Sequence, residues 1–499
     1  MAIARVDGWY LRHGRSLIGY RRDLVERVMD MDPNQVTIRT NVKANGGVTQ
    51  RLVRSFGASA LGPVVTAIIQ LGSVPIFLHA WGAAKYGDWL LLSAIPTYLS
   101  LSDLGFGDAS GSDMCIRVAA NDREGALRTF QSSWVLVTCA SLIALLVASA
   151  TVWWIPWQPW LRLSSLPSHQ AATIIIVLGA YIVVAQQNGV ADSGFTSNGN
   201  FATSAFWMTM LRLAEAVTAT TVVVLHGNLM AVAFTYLLVR CVGTISFVFL
   251  LRKMSPWIHY GIRYARLTTI RQLAAPAFGF MALPVGYALN LQGLILVLGV
   301  KLGPIAVVSF STLRTLSRLN SQLIAVIKNP LWPELSRAFG EGNVALARRL
   351  HRHACQAALG LSIFGGLLMW IFGPFVYRLW IRHGVSFDAR CFHVLLLVVV
   401  TNSLWDTSSV IPISINAHFR IALTYSAAAV LSLGLAWMLV PPLGTVGAAI
   451  ALFATDGWMT WLVLRTSLRQ TQDDLKSFVA ALFTFPRFRR QTLQAAPEV

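Results

Sequence analysis

The chain has 499 residues, of which 55% are hydrophobic and 12% are charged, and its mean hydropathy is +0.59. Soluble domains carry about 25% charged residues, so this composition excludes an ordinary soluble protein. A formal net charge of +19 is typical of nucleic-acid-binding proteins, so the positions of the charges along the chain must be considered.

Apolar windows recur along the chain, and each is long enough to cross a bilayer, for which about 20 residues suffice. They predict an all-α polytopic membrane protein. The first window begins at Phe56, after a polar stretch, so no cleavable signal peptide is expected. The twelve predicted spans are Phe56–Leu78, Gly87–Leu104, Phe130–Ile155, Ala171–Val190, Phe206–Leu225, Met230–Leu251, Ala274–Leu298, Ile305–Ile327, Ala354–Phe372, Phe392–Pro412, Ile421–Val440 and Thr445–Leu464.

Most Lys and Arg residues fall on the side of the predicted membrane that both termini share. The positive-inside rule therefore places both termini in the cytoplasm. The basic residues report topology, and secondarily contact with anionic membrane lipids, so no nucleic-acid partner is expected. Five cysteines show neither a CxxC pair nor metal-ligand spacing, and the chain has no nucleotide-binding motif. We expect no metal, no cofactor and no enzymatic reaction.

The predicted spans divide the chain into five parts. Residues 1–55 form a basic cytoplasmic tail, in which "SLIGYRRDLVERVMD" has the spacing of an interfacial helix, the alternative being a loosely ordered tail. Residues 56–251 form an N-terminal lobe, 252–273 a cytoplasmic linker and 274–465 a C-terminal lobe. The tail, 466–499, contains "LKSFVAALFTF", which is too short to span and predicts an interfacial or docked helix.

An internal repeat relates the two lobes. Lys85 stands two residues before Gly87, which opens the second span, and Lys301 stands two residues before Gly303, at the opening of the eighth span. Two six-helix halves with the same orientation predict a parallel pseudo-twofold axis along the membrane normal. The glycine-rich stretch "SDLGFGDASGSDM", residues 102–114, follows the second span and favours a structural turn over a gate.

Two arginines lie near the middle of the eighth span. Arg314 and Arg318 are four residues apart and therefore share one helix face, which Ser321 and Gln322 extend. Each central arginine costs roughly 2.5–3.5 kcal/mol on insertion scales, so this face must line either a water-filled cavity or a buried ion-pair network. A cavity with two free arginines suits a multiply charged anion such as a diphosphate.

Other polar residues within the spans are weaker candidates for a substrate site. They are Arg240 in the sixth span and Asn290 and Gln292 in the seventh. The alternative to a cavity is an ion pair with an intramembrane acid: Asp406, Asp456, Glu215 or Asp192. Asp406 and Asp456 are also candidates for binding a coupling proton or sodium ion.

Three motifs resemble one family in the expected order. "FLHAWGAAKYGDWLLLSAIPTYLSLSDLGFGDA", residues 77–109, is similar to the N-terminal signature of Wzx-type polysaccharide flippases. "PLWPELSRAFGEGN", residues 330–343, resembles the segment that follows helix eight in that family. "VPPLGTVGAAIA", residues 440–451, resembles its turn into helix twelve. The resemblance covers roughly residues 55–465.

This resemblance implies the multidrug/oligosaccharidyl-lipid/polysaccharide exporter (MOP) fold, which is MATE-like, with two six-helix lobes around a central cavity. It also implies a flippase for an undecaprenyl-diphosphate-linked oligosaccharide in the bacterial inner membrane, in contact with membrane lipids and with polysaccharide polymerase machinery. The first helix has no cation within Gly57–Leu78, unlike the lipid II branch. The alternatives are an ion-coupled multidrug antiporter of the same fold and a membrane-embedded glycosyl-transferring enzyme, for which the necessary carboxylates and outer loop are missing.

Overall fold

In hydrocarbon, the backbone polar groups of a spanning segment must be satisfied within that segment, so apolar runs of this length fold as helices. The computed structural model describes residues 48–164, 166–340, 342–381, 385–415 and 419–484. The expected interfacial helix in the N-terminal tail lies outside the described residues. By its contacts the chain divides into Met1–Arg51, of which only the last four residues are described, and Leu52–Val499.

The described residues are nearly all helical. In chain order the helices are α1 Val48–Thr97, α2 Phe106–Ala119, α3 Arg123–Thr151, α4 Trp157–Leu161, α5 Ser168–Ser197, α6 Phe201–Val224, α7 Leu229–Met254, α8 Leu267–Ala288, α9 Leu294–Leu302, α10 Pro304–Gly340, α11 Val344–Ile381, α12 Ala389–Ser408, α13 Val410–Ser414, α14 Phe419–Leu443, α15 Thr445–Gln470 and α16 Leu475–Phe483. Two 3₁₀ turns, Tyr98–Asp103 and Val152–Trp154, and a π-helical turn, Leu289–Gly293, complete them.

The described part of the chain contains ten helical stretches long and apolar enough to cross a membrane, so this is a multi-pass membrane protein. The first of them, Gly62–Val118, holds the first two predicted spans. The eighth predicted span lies in α10 and is not among the ten, because Arg314 and Arg318 lower its mean hydropathy. With that helix, the prediction of about twelve spans agrees with the structure.

The breaks between paired spans occur at glycines with left-handed backbone. In α1 the break is at Gly82, where φ is 73°, and between α9 and α10 it is at Gly303, where φ is 87°. A residue with a Cβ is strained at such angles. The repeat inferred from Gly87 and Gly303 therefore differs in detail, since Gly87 lies inside the second half of α1, five residues after the turn.

The helices form two lobes, α1–α7 and α8–α15. In the first lobe α5 packs against α2, α3 and α7, and in the second α15 packs against α12 and α14. One large apolar core joins the lobes, because Trp89 and Leu91 of α1 belong to the same cluster as Leu298 of α9 and Phe310 of α10.

The glycine-rich stretch 102–114 begins with a tight turn at Leu104 and Gly105 and continues as the start of α2, and its turn touches the second lobe. The Asp103 carboxylate accepts a hydrogen bond from the Gly105 amide at 2.9 Å, and Gly105 has a φ of 75°. A Cβ on Gly105 would stand 2.2 Å from the carbonyl oxygen of Ala277 in α8. The turn therefore packs directly against α8.

The C-terminal stretch is a docked helix. The Phe478 side chain of α16 is 1% exposed, and its ring stacks on that of His351 in α11 at 5.3 Å. Arg352 of α11 forms an ion pair with Asp473, just before α16. Of the two interpretations of this stretch, the structure supports docking.

Candidate functional site

The polar face of α10 places its two arginines in different surroundings. Arg314 is half-buried, and its Nη1 donates a hydrogen bond to the Leu291 carbonyl at 3.3 Å. Its guanidinium lies 5.5 Å from the centre of the Phe310 ring. Arg318, one turn further along, is exposed. Within the described residues, neither guanidinium has a carboxylate oxygen within the 4.0 Å of an ion pair.

The two acids nearest this face in the fold have other partners. Asp406 pairs with Lys328 of α10, whose Nζ lies 2.5 Å from its carboxylate. Asp456 of α15 accepts hydrogen bonds from Trp405 Nε1 at 2.9 Å and from Asn402 Nδ2 at 3.4 Å. The expected alternative, an ion pair that neutralises the arginines, is therefore absent for these two acids.

Arg240 lies in the other lobe and is neutralised there. Its Nε is 2.7 Å from one oxygen of Glu215, and its Nη2 donates to the other oxygen at 2.7 Å. The Tyr181 hydroxyl accepts a hydrogen bond from the same Nη2 at 2.7 Å. Asp192, the fourth acid considered, accepts a hydrogen bond from Ser204. The structure therefore does not bring Arg240 together with Arg314 and Arg318.

A cavity lies beside the α10 arginines inside the C-terminal lobe. Its volume is about 50 Å³, which is room for a few water molecules but not for a sugar. Its lining residues come from α8, the π turn, α10, α12, α14 and α15: Tyr287, Asn290, Leu291, Arg314, Ser317, Arg318, Ser321, Leu395, Val398, Val399, Asn402, Tyr425, Leu452 and Asp456. Nine of these lining residues are polar, and four of the nine, Asn290, Arg314, Arg318 and Asp456, are predicted site residues.

The π turn Leu289–Gly293 positions two of the predicted residues. Asn290 is buried, its Nδ2 donates to the Tyr425 hydroxyl at 3.1 Å, and its Oδ1 has no hydrogen-bond partner in the described part of the chain. Gln292 is half-buried. Single π turns within α-helices are frequent at functional sites. Nothing in the sequence indicated this turn or the contribution of Tyr425.

Some of the remaining candidate residues line this cavity and others do not. Gln322 is half-buried on α10 but does not line the cavity, whereas its neighbour Ser321 does. Asp456 lines the cavity with Arg318, and Asp406 does not. Of the two predicted coupling residues, Asp456 is thus the one that shares a space with an arginine.

Solved structures of similar fold are transporters. One is the inward-facing conformation of a multidrug resistance MATE family transporter of the MOP superfamily, with a TM-score of 0.70, 15% identity, and coverage of 81% of this chain and 94% of that one. Another is the outward-facing conformation of a multidrug resistance MATE family transporter of the MOP superfamily. Its TM-score is 0.59 at 16% identity, and the match covers 86% of this chain and 96% of that one.

A third is a MOP superfamily transporter from Pyrococcus furiosus, whose description states that the reverse polarity of its binding pocket suggests a different function. It gives a TM-score of 0.62 at 16% identity, covering 86% of this chain and 96% of that one. No protein-family model and no curated protein matches this chain. The likenesses establish a MATE-like fold for the chain.

Proposed function

We propose that this protein moves an undecaprenyl-diphosphate-linked oligosaccharide from the cytoplasmic to the periplasmic leaflet of the bacterial inner membrane, during synthesis of a surface polysaccharide such as O-antigen, capsule or exopolysaccharide. The observation that carries the proposal is the pair Arg314 and Arg318. They share one face of an intramembrane helix, Arg318 is exposed, and neither has a carboxylate partner among the described residues.

Keeping two such charges in a membrane helix is costly. Insertion scales give roughly 5–7 kcal/mol for the two together. Ion pairing would offset this cost, but Asp406 and Glu215 are paired with Lys328 and Arg240 instead. A diphosphate carries the negative charge that is missing, and the guanidinium fork binds phosphate oxygens through two parallel hydrogen bonds.

The size of the cavity bears on how such a substrate enters. About 50 Å³ beside Arg314 cannot hold a diphosphate and its sugar. We therefore propose that the head group binds from the side of exposed Arg318, between the two lobes, when they separate during alternating access. Most of the prenyl chain stays in lipid, and the polymerase machinery takes the product at the outer face. Asp456 is our candidate for a coupling ion.

A second candidate function is an ion-coupled multidrug antiporter. The comparisons taken alone favour it, because two of the similar structures are named as multidrug resistance transporters. Asp456, the carboxylate among the lining residues of the same cavity, suits a cationic drug. Arg318 opposes this assignment, since it repels a cation in that space. The Pyrococcus furiosus protein is an example in which reversed pocket polarity was taken to suggest a different function.

The experiment uses complementation. The gene is deleted in its native host and restored with Arg314→Ala/Arg318→Ala, with Arg314→Lys/Arg318→Lys, or with the control Arg212→Ala, and surface polysaccharide is measured at matched protein levels. Arg212 is an exposed arginine within α6 whose Nε donates to the Met208 carbonyl of its own helix at 3.4 Å. Each strain is also tested for efflux of an organic cation.

We expect the double alanine variant to lose export, the double lysine variant to retain much of it, and Arg212→Ala to export normally. Normal export by the double alanine variant would show that the arginines are structural and would overturn the anion-binding role. Unchanged polysaccharide in the deletion strain together with lost cation efflux would establish the multidrug function instead.

A further inference from the structure

An apolar cavity of about 240 Å³ lies in the N-terminal lobe. It is open on one side, and its walls come from the end of α1 and the 3₁₀ turn after it, from the last turns of α3, and from α5. Residues on its walls include Pro96, Leu99, Leu145, Ala148 and Ile176. Ligand sites for whole drug-sized molecules measure about 300–1,000 Å³, so this space suits a segment of a chain and not a head group.

The cavity lies at a depth where hydrocarbon surrounds the protein. Leu145 and Ala148 face it, whereas Leu146 and Val147 on the other side of α3 are 68% and 58% exposed, as expected for lipid-facing residues. Trp153 follows Ala148 by five residues, which is roughly 8 Å along a helix axis. Because exposed tryptophans mark the membrane interface, the cavity lies below the interface, among lipid chains.

The cavity also adjoins the cationic site of the other lobe. Tyr98 lines it, and the Tyr98 hydroxyl lies 3.2 Å from the position that a Cβ would take on Gly293. Gly293 ends the π turn, in which the Leu291 carbonyl accepts the hydrogen bond from Arg314. Tyr98 therefore lies between an apolar space at lipid depth and the π turn whose backbone carbonyl accepts a hydrogen bond from Arg314.

We propose that this cavity receives a segment of the hydrocarbon chain of the anionic lipid whose head group binds Arg314 and Arg318. This inference rests on the proposed function and adds a tail site to it. A substrate with both parts is an amphiphile: a prenyl diphosphate fits, whereas a free sugar or an inorganic anion would use the arginines alone. The side chain of Tyr98 would then lie near the junction between tail and head group.

The test fills the cavity without touching the arginines. Ala148→Trp places an indole in the cavity, and Ser149→Leu, a smaller change on the same wall, serves where the tryptophan variant does not fold. The matched control is Val147→Trp, which adds the same side chain to the lipid-facing side of the same helix. Binding of undecaprenyl diphosphate and of inorganic pyrophosphate to the purified full-length protein is measured by native mass spectrometry.

We expect Ala148→Trp or Ser149→Leu to weaken binding of undecaprenyl diphosphate about tenfold relative to Val147→Trp, while pyrophosphate binding stays unchanged. Arg314→Ala/Arg318→Ala should weaken the binding of both ligands. Wild-type affinity for undecaprenyl diphosphate in both filled variants would overturn the tail site and leave the proposed function standing. If the filled variants lose only a copurified phospholipid and bind undecaprenyl diphosphate normally, the cavity holds bulk lipid. That result would also overturn the tail site and leave the proposed function standing. If the wild-type protein binds neither probe, the proposed function fails and the tail site fails with it.

Discussion

A methyl group on Gly87 would stand 2.4 Å from the carbonyl oxygen of Pro304, which is closer than side-chain carbons approach backbone oxygens in real proteins. Gly87 belongs to the second half of α1, and Pro304 begins α10, directly after the Gly303 turn. The segments that the sequence repeat relates therefore meet each other, and the absence of a side chain at Gly87 permits the contact between the lobes.

Replacing Gly87 by alanine should destabilise the protein. The added methyl group forces the two backbones apart, and overpacking of this kind costs typically 1–3 kcal/mol. The melting temperature of the purified protein measures it. The control is Gly434→Ala in α14, where the added Cβ meets no heavy atom within 4 Å, so that this variant should melt like the wild type or slightly above it. Equal melting of both variants would contradict the close contact.

Removing Arg240 should also destabilise the protein, because it leaves the Glu215 carboxylate buried without its partner. The two side chains are 7% and 4% exposed, and breaking a buried pair from one side costs about 3–5 kcal/mol. We expect Arg240→Met to lower the melting temperature, and Arg240→Met/Glu215→Leu to recover most of the loss. If the rescued double variant folds but exports no polysaccharide, the pair Arg240 and Glu215 has a role in export beyond stability.

The positions of the spans and the intramembrane arginines could be predicted from the sequence. Span positions follow from local composition, which is readable along the chain, and two arginines one turn apart share a face in any α-helix. The pairing of the acids could not be predicted, because it depends on distances between helices. From the sequence, Glu215 and Asp406 were both possible ion-pair partners of Arg314. In the fold they form ion pairs with Arg240 and Lys328 instead.

The backbone conformation at the turns could not be predicted from the sequence either. The π turn at Leu289–Gly293 has no residue signature, yet it places Asn290 against Tyr425 and the Leu291 carbonyl against Arg314. The repeat indicated Gly87 and Gly303 as equivalent turn glycines, whereas the first turn is at Gly82. Two glycines, Gly82 and Gly87, stand in that connection, and only the backbone angles show which one carries the left-handed conformation.

Truncating Phe478 should release the docked helix α16. Its side chain is 1% exposed against His351, and a buried Phe→Ala change costs about 3–5 kcal/mol, a hundredfold or more in the ratio of docked to undocked helix. Limited trypsin digestion measures the release through cleavage after Lys476, which should be faster in Phe478→Ala. The control Phe483→Ala changes a ring of the same helix that is 73% exposed and should be cleaved at the wild-type rate. Equal rates for both variants would mean that α16 does not depend on this contact.

Acid should weaken the same docking through Asp473. Burial opposes ionisation of this carboxyl, but the hydrogen bonds and charge of Arg352, helped by the Asp474 amide and the charge of Arg348, outweigh it, so that the pKa lies below its ordinary value of 3.8. Arg352 Nε donates to the carboxylate at 2.8 Å. Because the pKa is lowered on folding, the stabilisation is complete above the unfolded value and is lost as pH falls through the folded value.

The measurement compares wild-type protein with Asp473→Asn across pH 7 to pH 3. The asparagine keeps the shape and some hydrogen bonds of the carboxylate but cannot carry its charge. At pH 7 the wild type should melt at the higher temperature and should resist cleavage after Lys476 better than the variant. The two proteins differ in only one titrating group, the Asp473 carboxyl. The difference between their melting temperatures should therefore shrink as the pH falls below about 4. A difference that stays constant down to pH 3 would show that the charge of Asp473 does not hold α16 in place.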